Sequence, residues 1–191
     1  MSTTETTATV NTTSKTKTIT IIGVMTAITC ILGPLSIPLP FSPVPISLTN
    51  LAIYFTIYVL GMKKGTISYL IYLLIGFIGL PVFSAFTSGP AKLLGPTGGY
   101  LIGFIFMALI CGFFIDKWSN NMALCFVGMF LGTAVCYLFG TVWLAYQASM
   151  SFSAALAAGV IPFIPGDLAK IVIAMIAGPQ IRKRLKKAGL N

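Results

Sequence analysis

Apolar residues fill six long runs of this chain, and Gly, Pro or charge separates one run from the next. The first run covers about Thr18 to Gly33 and gives way to a Pro-dense stretch that ends at Pro45. The second, about Ser47 to Leu60, stops at Gly61-Met62-Lys63-Lys64-Gly65, and the third, about Thr66 to Leu80, stops at Pro81. An irregular segment carrying Gly89-Pro90 and Gly95-Pro96 follows. The fourth run starts near Gly98 and ends before Asp116-Lys117, the fifth covers about Met122 to Tyr146, and the sixth about Gly166 to Ile176, ahead of Gly178-Pro179. Several runs fall short of the roughly 20 residues of a full span. The Pro-rich connections are therefore expected to dip back into the protein, where buried backbone can be satisfied.

Composition turns this pattern into a class. The 191 residues are 57% hydrophobic and only 8% charged, where a soluble domain carries about a quarter charged residues. The expected fold is an all-α integral membrane protein of six transmembrane helices with irregular extracellular loops. Residues 1–17 are expected to be a disordered polar tail, and residues 18–187 a single membrane domain. No basic region leads the chain and no small-residue cleavage site follows the first run, so a signal peptide is not expected.

The net charge of +9 does not point to nucleic acid, because of where the charge sits. Arg182, Lys183, Arg184, Lys186 and Lys187 cluster behind the last run, as at a cytoplasmic stop that meets anionic lipid headgroups. With an even number of spans, Lys15, Lys17, Lys63, Lys64 and Lys117 join that cluster on one side, and Lys92 stands alone on the other. Both termini are expected in the cytoplasm of a multi-pass plasma-membrane protein, with the elaborated loops outside.

The chemistry is sparse. Histidine is absent, and Cys30, Cys111, Cys125 and Cys136 fall singly inside apolar runs, as small buried hydrophobes do. No metal or cofactor is expected, and no catalysis: the acid–base groups of an enzyme are missing. Carboxylates are Glu5 in the polar tail, Asp116 in a short polar loop, and Asp167, where burial is expected. Asp167 and Lys170 share a helix face three residues apart. The pair reads either as two ligand contacts or as a mutual salt bridge in which Asp167 also caps its helix. Lys92, in the loop from Ser84, reads as a ligand contact or as a solvated charge. No Gly-Lys-Ser/Thr phosphate loop is present, so ATP binding is not expected. Gly23 and Ala27 set a small-xxx-small spacing on the first helix, with Thr26 and Cys30 repeating it one step round; this suits internal packing or a partner subunit. Tyr137, Trp143 and Tyr146 read as an interfacial aromatic belt, with stacking on a ligand as the alternative for Trp143.

Five ordered blocks carry a resemblance: Pro43-Val44-Pro45-Ile46-Ser47-Leu48, Gly79 to Phe83, Leu94-Gly95-Pro96-Thr97-Gly98-Gly99-Tyr100 through Gly103, Tyr137 to Trp143, and Pro162 to Lys170. From about Thr18 to Lys187 the chain resembles BioY, the biotin-specific substrate-capture subunit (S component) of energy-coupling-factor (ECF) vitamin transporters. The resemblance implies a biotin site held by Asp167 and Lys170, with Phe83, Tyr100 and Trp143 as apolar walls. Thr49, Asn50, Ser88 and Lys92 complete the expected contacts. Thr49 stands where the family commonly has Gln, and Thr87 to Lys92 replaces a usual Gly-rich run. Gly23 and Ala27 would meet the transmembrane coupling subunit, and ATP hydrolysis would belong to separate ATPase subunits. The rival reading is an ion-coupled secondary carrier for a small carboxylate or vitamin, in which Asp167 titrates; the internal repeat such a carrier favours is not evident.

Overall fold

A computed structural model describes the backbone of residues 3–189 and the side chains of residues 15–189. The elements are α1 (Thr3–Leu32), β1 (Ser36–Leu39), β2 (Ser42–Ser47), α2 (Thr49–Phe77), α3 (Pro90–Leu94), α4 (Gly98–Trp118), α5 (Met122–Gln147), α6 (Phe152–Gly159) and α7 (Ile164–Lys187). Two 3₁₀ turns, Ser84–Phe86 and Ile161–Phe163, complete the order. Helical backbone begins at Thr3, inside the stretch read from sequence as a disordered tail, whereas the apolar part of α1 begins at Lys15. Glu5 lies outside the described side chains.

Among the described residues, five helices are long and apolar enough to cross a membrane, and Thr49–Phe77 counts as one of them. It is a hairpin. Gly61 sits at φ 75°, ψ −179°, outside any helical region, and a Cβ at Gly65 would lie 3.4 Å from the Ile57 Cα. Eight residues of straight helix would separate those positions by about 12 Å, so residues 49–60 and 62–77 run antiparallel. With this reversal the passes number six, α1, the two arms of α2, α4, α5 and α7, as the apolar runs predict. Asp116 locks the turn from the last turn of α4, not from a loop. Its Oδ2 accepts the Met62 N–H at 2.7 Å, and its Oδ1 accepts Arg182 of α7 at 2.9 Å. One carboxylate thus ties three passes together at the pole that holds most of the basic residues.

The first arm of α2 is short. Its twelve residues rise about 18 Å, well under a hydrocarbon thickness of roughly 30 Å, so Thr49 and Asn50 open it at depth. The Pro-rich stretch above it is a hairpin, β1 antiparallel to β2 with Ser36 opposite Ser47 and Ile37 opposite Ile46. Its prolines cannot donate ladder bonds, and a two-stranded ribbon needs few.

Elsewhere glycine sets close approach. The α4–α5 seam meets at Gly103 against Cys136, Gly132 against Cys111, and Gly140 against Tyr100. Buried Tyr69 and Tyr72 donate to the Leu101 and Val82 carbonyls. Cys111, Cys125 and Cys136 are buried and Cys30 half-buried, all with free thiols. α7 runs through Pro179 instead of stopping ahead of it. An interior proline costs about 3 kcal/mol in an isolated helix, and membrane helices tolerate it where packed neighbours meet the freed backbone groups.

Candidate binding site

Asp167 and Lys170 stand in the first two turns of α7, at the pole opposite Asp116. Their side chains are 11% and 10% exposed and pair at 2.9 Å through Asp167 Oδ1. The same Oδ1 accepts Asn50 Nδ2 at 2.8 Å, and Oδ2 accepts the Tyr137 hydroxyl at 2.6 Å. Lys170 Nζ also donates to the Ser47 carbonyl at 2.6 Å. Four elements therefore converge on the ion pair: β2 through Ser47 on Lys170, α2 through Asn50 and α5 through Tyr137 on Asp167, and α7, which carries both. Asp167 does not cap its helix, whose N-cap position is Phe163 with no side-chain cap bond.

Burying a lone charge is costly, and this pair is retained because each charge has a partner and neutral donors complete the shell. The shell is not full. An ionised carboxylate offers about four lone-pair sites and an ammonium three donors. Asp167 uses three of its sites and Lys170 two of its donors within the chain. The second N–H of the Asn50 amide is also open, its oxygen being taken by the Leu51 N–H. The cluster can thus receive a planar group that presents an N–H beside a carbonyl.

These polar groups end a cleft of about 660 Å³, measured with its open mouth. Val44 and Pro45 of β2, Tyr100, Leu101 and Phe104 of α4, and Phe163 give it apolar walls. Of the expected contacts, Asp167, Lys170, Asn50, Thr49 and Tyr100 line this cleft. Tyr100 is fixed by donating to the Gly159 carbonyl at 2.8 Å.

Four expected contacts stand elsewhere. Phe83 is fully buried, packed edge-on against Tyr72 and over Gly76 in the core. Trp143 donates its indole N–H to the Gly95 carbonyl at 2.9 Å and packs on Gly99, so it braces the loop before α4. Ser88 and Lys92 lie on the segment beyond the mouth and do not line the cleft. Lys92 stands in the middle of the short α3, half-buried, and desolvation lowers its pKa. Ser84, at the start of that segment, does reach the cleft.

Sequence reasoning missed Tyr137, read as part of an interfacial belt, and the Ser47 carbonyl, which no side-chain pattern reveals. The i, i+4 relation of Thr133 and Tyr137 on one face of α5 was the available signal for the first. Both line the cleft, and fully buried Tyr54 pairs with Thr133 at 2.6 Å from the core behind it. Tyr146, from the same aromatic group, is 79% exposed.

Gly23 and Ala27 lie on the outer side of α1, and nothing approaches within 4 Å of a Cβ at Gly23. The parallel Thr26 stripe faces inward, with Thr26 Oγ1 2.9 Å from Ser68 Oγ on the second arm of α2.

A bundle of apolar helices around a deep cleft, apolar along its walls and charged at one end, defines a membrane-embedded binder of small amphipathic molecules. The comparisons with known proteins narrow this class. The model of the BioY family matches residues 4–187, and the chain belongs to that family. It is 36% identical over 181 residues to a biotin transporter BioY of Lactococcus lactis subsp. cremoris, covering 92% of this chain and 93% of that protein. With the biotin transporter BioY of Thermotoga maritima it shares 35% identity over 161 residues, 84% of this chain and 93% of that one. The fold matches the crystal structure of the S-component for biotin from an ECF-type ABC transporter with a TM-score of 0.82, at 36% identity, over 88% of this chain and 92% of that chain.

Proposed function

We propose that this chain is the biotin-capturing S component of an ECF-type vitamin transporter, a binding subunit and not an enzyme. The observation that carries the reading is the buried Asp167–Lys170 pair at the end of an apolar cleft, with one acceptor site and matching donors left open. Biotin presents the complement: a ureido ring with two N–H groups and a carbonyl, and an apolar thioether bicycle. The ureido N–H meets Asp167, and the carbonyl meets Lys170 and the Asn50 amide.

The protein sits in the plasma membrane with both termini cytoplasmic, and the cleft opens outward. Two facts support this orientation. Lys63, Lys64, Lys117 and the cluster from Arg182 lie near the Asp116 pole, where Met62, Asp116 and Arg182 are bonded together, while the cleft is at the other. Such an excess of basic residues marks the cytoplasmic side. Inward delivery then depends on a transmembrane coupling subunit, docked on the Gly23/Ala27 face, and on ATPase subunits.

The test is titration of the purified chain, produced alone in biotin-free medium, with biotin and with riboflavin and thiamine as controls. Saturable one-to-one binding of biotin alone is the expected result. Absence of biotin binding, or equal binding of a control vitamin, overturns the reading.

A further inference from the structure

A second cavity adjoins the polar end of the cleft. This crevice, about 530 Å³ with its open side, runs between α5 and α7. Phe130, Ala134 and Tyr137 form its α5 wall, and Ile164, Leu168 and Ile171 its α7 wall, each set at the four- and three-residue spacing of one helix face. Ala134 is the smallest of the six and leaves the gap between the helices open. Thr133, Tyr137 and Asp167 line both the crevice and the cleft. The Tyr137–Asp167 hydrogen bond, which crosses from α5 to α7 at 2.6 Å, is therefore part of the partition between the two cavities.

Depth and lining identify what fills the crevice. Phe130, Ala134, Ile164 and Leu168 are exposed, so it opens on the perimeter of the bundle. Fifteen residues of helix separate Asp167 from Arg182 at the basic pole, a rise of about 22 Å. Tyr137 stands fifteen residues past Met122, at the same height of about 22 Å. A hydrocarbon core is roughly 30 Å thick, so the opening faces acyl chains and not headgroups. Water is poorly held there, because a buried water needs two to four polar partners. The Thr133 hydroxyl is spent on Tyr54 and the Met129 carbonyl, and the Tyr137 proton on Asp167, which leaves little beyond the open acceptor site of Asp167. An unfilled gap would forfeit the dispersion contacts of its apolar walls.

We propose that the crevice binds one acyl chain of a membrane lipid, which packs behind the biotin cleft and braces Tyr137 against Asp167. The occupancy rests on the six membrane passes, and its effect on affinity rests on the biotin reading.

The experiment measures lipid retention by native mass spectrometry and biotin affinity by titration calorimetry. It uses the purified full chain, stripped of lipid in maltoside detergent and then supplied with dioleoylphosphatidylcholine. Wild type is expected to retain one lipid and to bind biotin at least threefold more tightly with it than without. Dioleoylphosphatidylglycerol should be retained equally well, because the headgroup lies outside the site. Ala134→Trp, whose indole fills the crevice, is expected to reduce the lipid-bound fraction at least tenfold and to make biotin affinity independent of lipid. Val142→Trp, at an exposed position that lines neither cavity, should behave as wild type. Leu168→Trp fills the gap from the facing wall and replaces Ala134→Trp if that variant binds no biotin. Wild type that retains no lipid, a filled variant that retains it as wild type does, or retention of one headgroup only overturns the acyl-chain site. Equal biotin affinity of wild type with and without lipid overturns its bracing role. Retained lipid with no biotin binding in any form overturns the biotin reading and leaves the lipid site standing.

Discussion

Asp167 holds its place through three bonds, from Asn50, from Tyr137 and from the Lys170 ammonium that is itself tethered to backbone, so its variants should differ in a predictable order. Asp167→Asn removes the counter-charge and leaves Lys170 buried with an uncompensated ammonium, a cost of about 3–5 kcal/mol when a buried pair is broken. Tyr137→Phe removes one hydrogen bond to a charged group, worth about 1.5–3 kcal/mol, and leaves the ion pair intact. Biotin titration should therefore show losses for both, larger for Asp167→Asn. A Tyr137→Phe loss equal to or greater than that of Asp167→Asn would mean that Tyr137, and not the acid, is the principal ligand contact. The acid and the base were legible in the sequence because charge is so scarce in these apolar runs. Tyr137 was not, because a tyrosine near the end of a membrane helix reads the same whether its hydroxyl meets headgroups or a buried carboxylate.

The elements depend on a few backbone positions that no apolar pattern reveals. The α2 hairpin turns on Gly61, at a φ of 75°, with the Asp116 carboxylate oxygens 2.9 and 3.0 Å from where a Cβ would stand. Gly61→Ala carries backbone strain on the order of 1–3 kcal/mol, besides crowding the carboxylate that ties Met62 and Arg182. The expected outcome is a lower melting temperature in detergent with biotin affinity at low temperature within about threefold of wild type. This split follows because Gly61 lies at the pole opposite the cleft. A variant as stable as wild type would show that the turn relaxes without cost. The sequence did announce a break at Gly61 through Gly65. It gave no sign of the β1–β2 hairpin, because Pro38, Pro43 and Pro45 read as irregular chain and only the pairing across the ribbon makes their segments strands.

For the whole molecule, the outward-facing Gly23 and Ala27 give α1 a smooth stripe that a neighbouring helix can approach closely. Gly23→Leu and Ala27→Leu are expected to abolish biotin uptake by cells that carry the coupling and ATPase subunits. Binding to the isolated chain should stay within about threefold of wild type, because both residues are exposed and no described residue comes within 4 Å of a Cβ at Gly23. Loss of binding along with uptake would place the stripe in internal packing. The class, the six passes and the basic pole were determined by the sequence alone, because hydrocarbon forces long apolar runs and basic residues are retained on one side of it. The tertiary structure decided which residues share the cleft. It moved Phe83 and Trp143 into packing and bracing roles, and brought in Tyr137 and the Ser47 carbonyl. These outcomes depend on where helices of different length and tilt place their ends relative to one another, and a one-dimensional pattern of apolar residues carries no record of that depth.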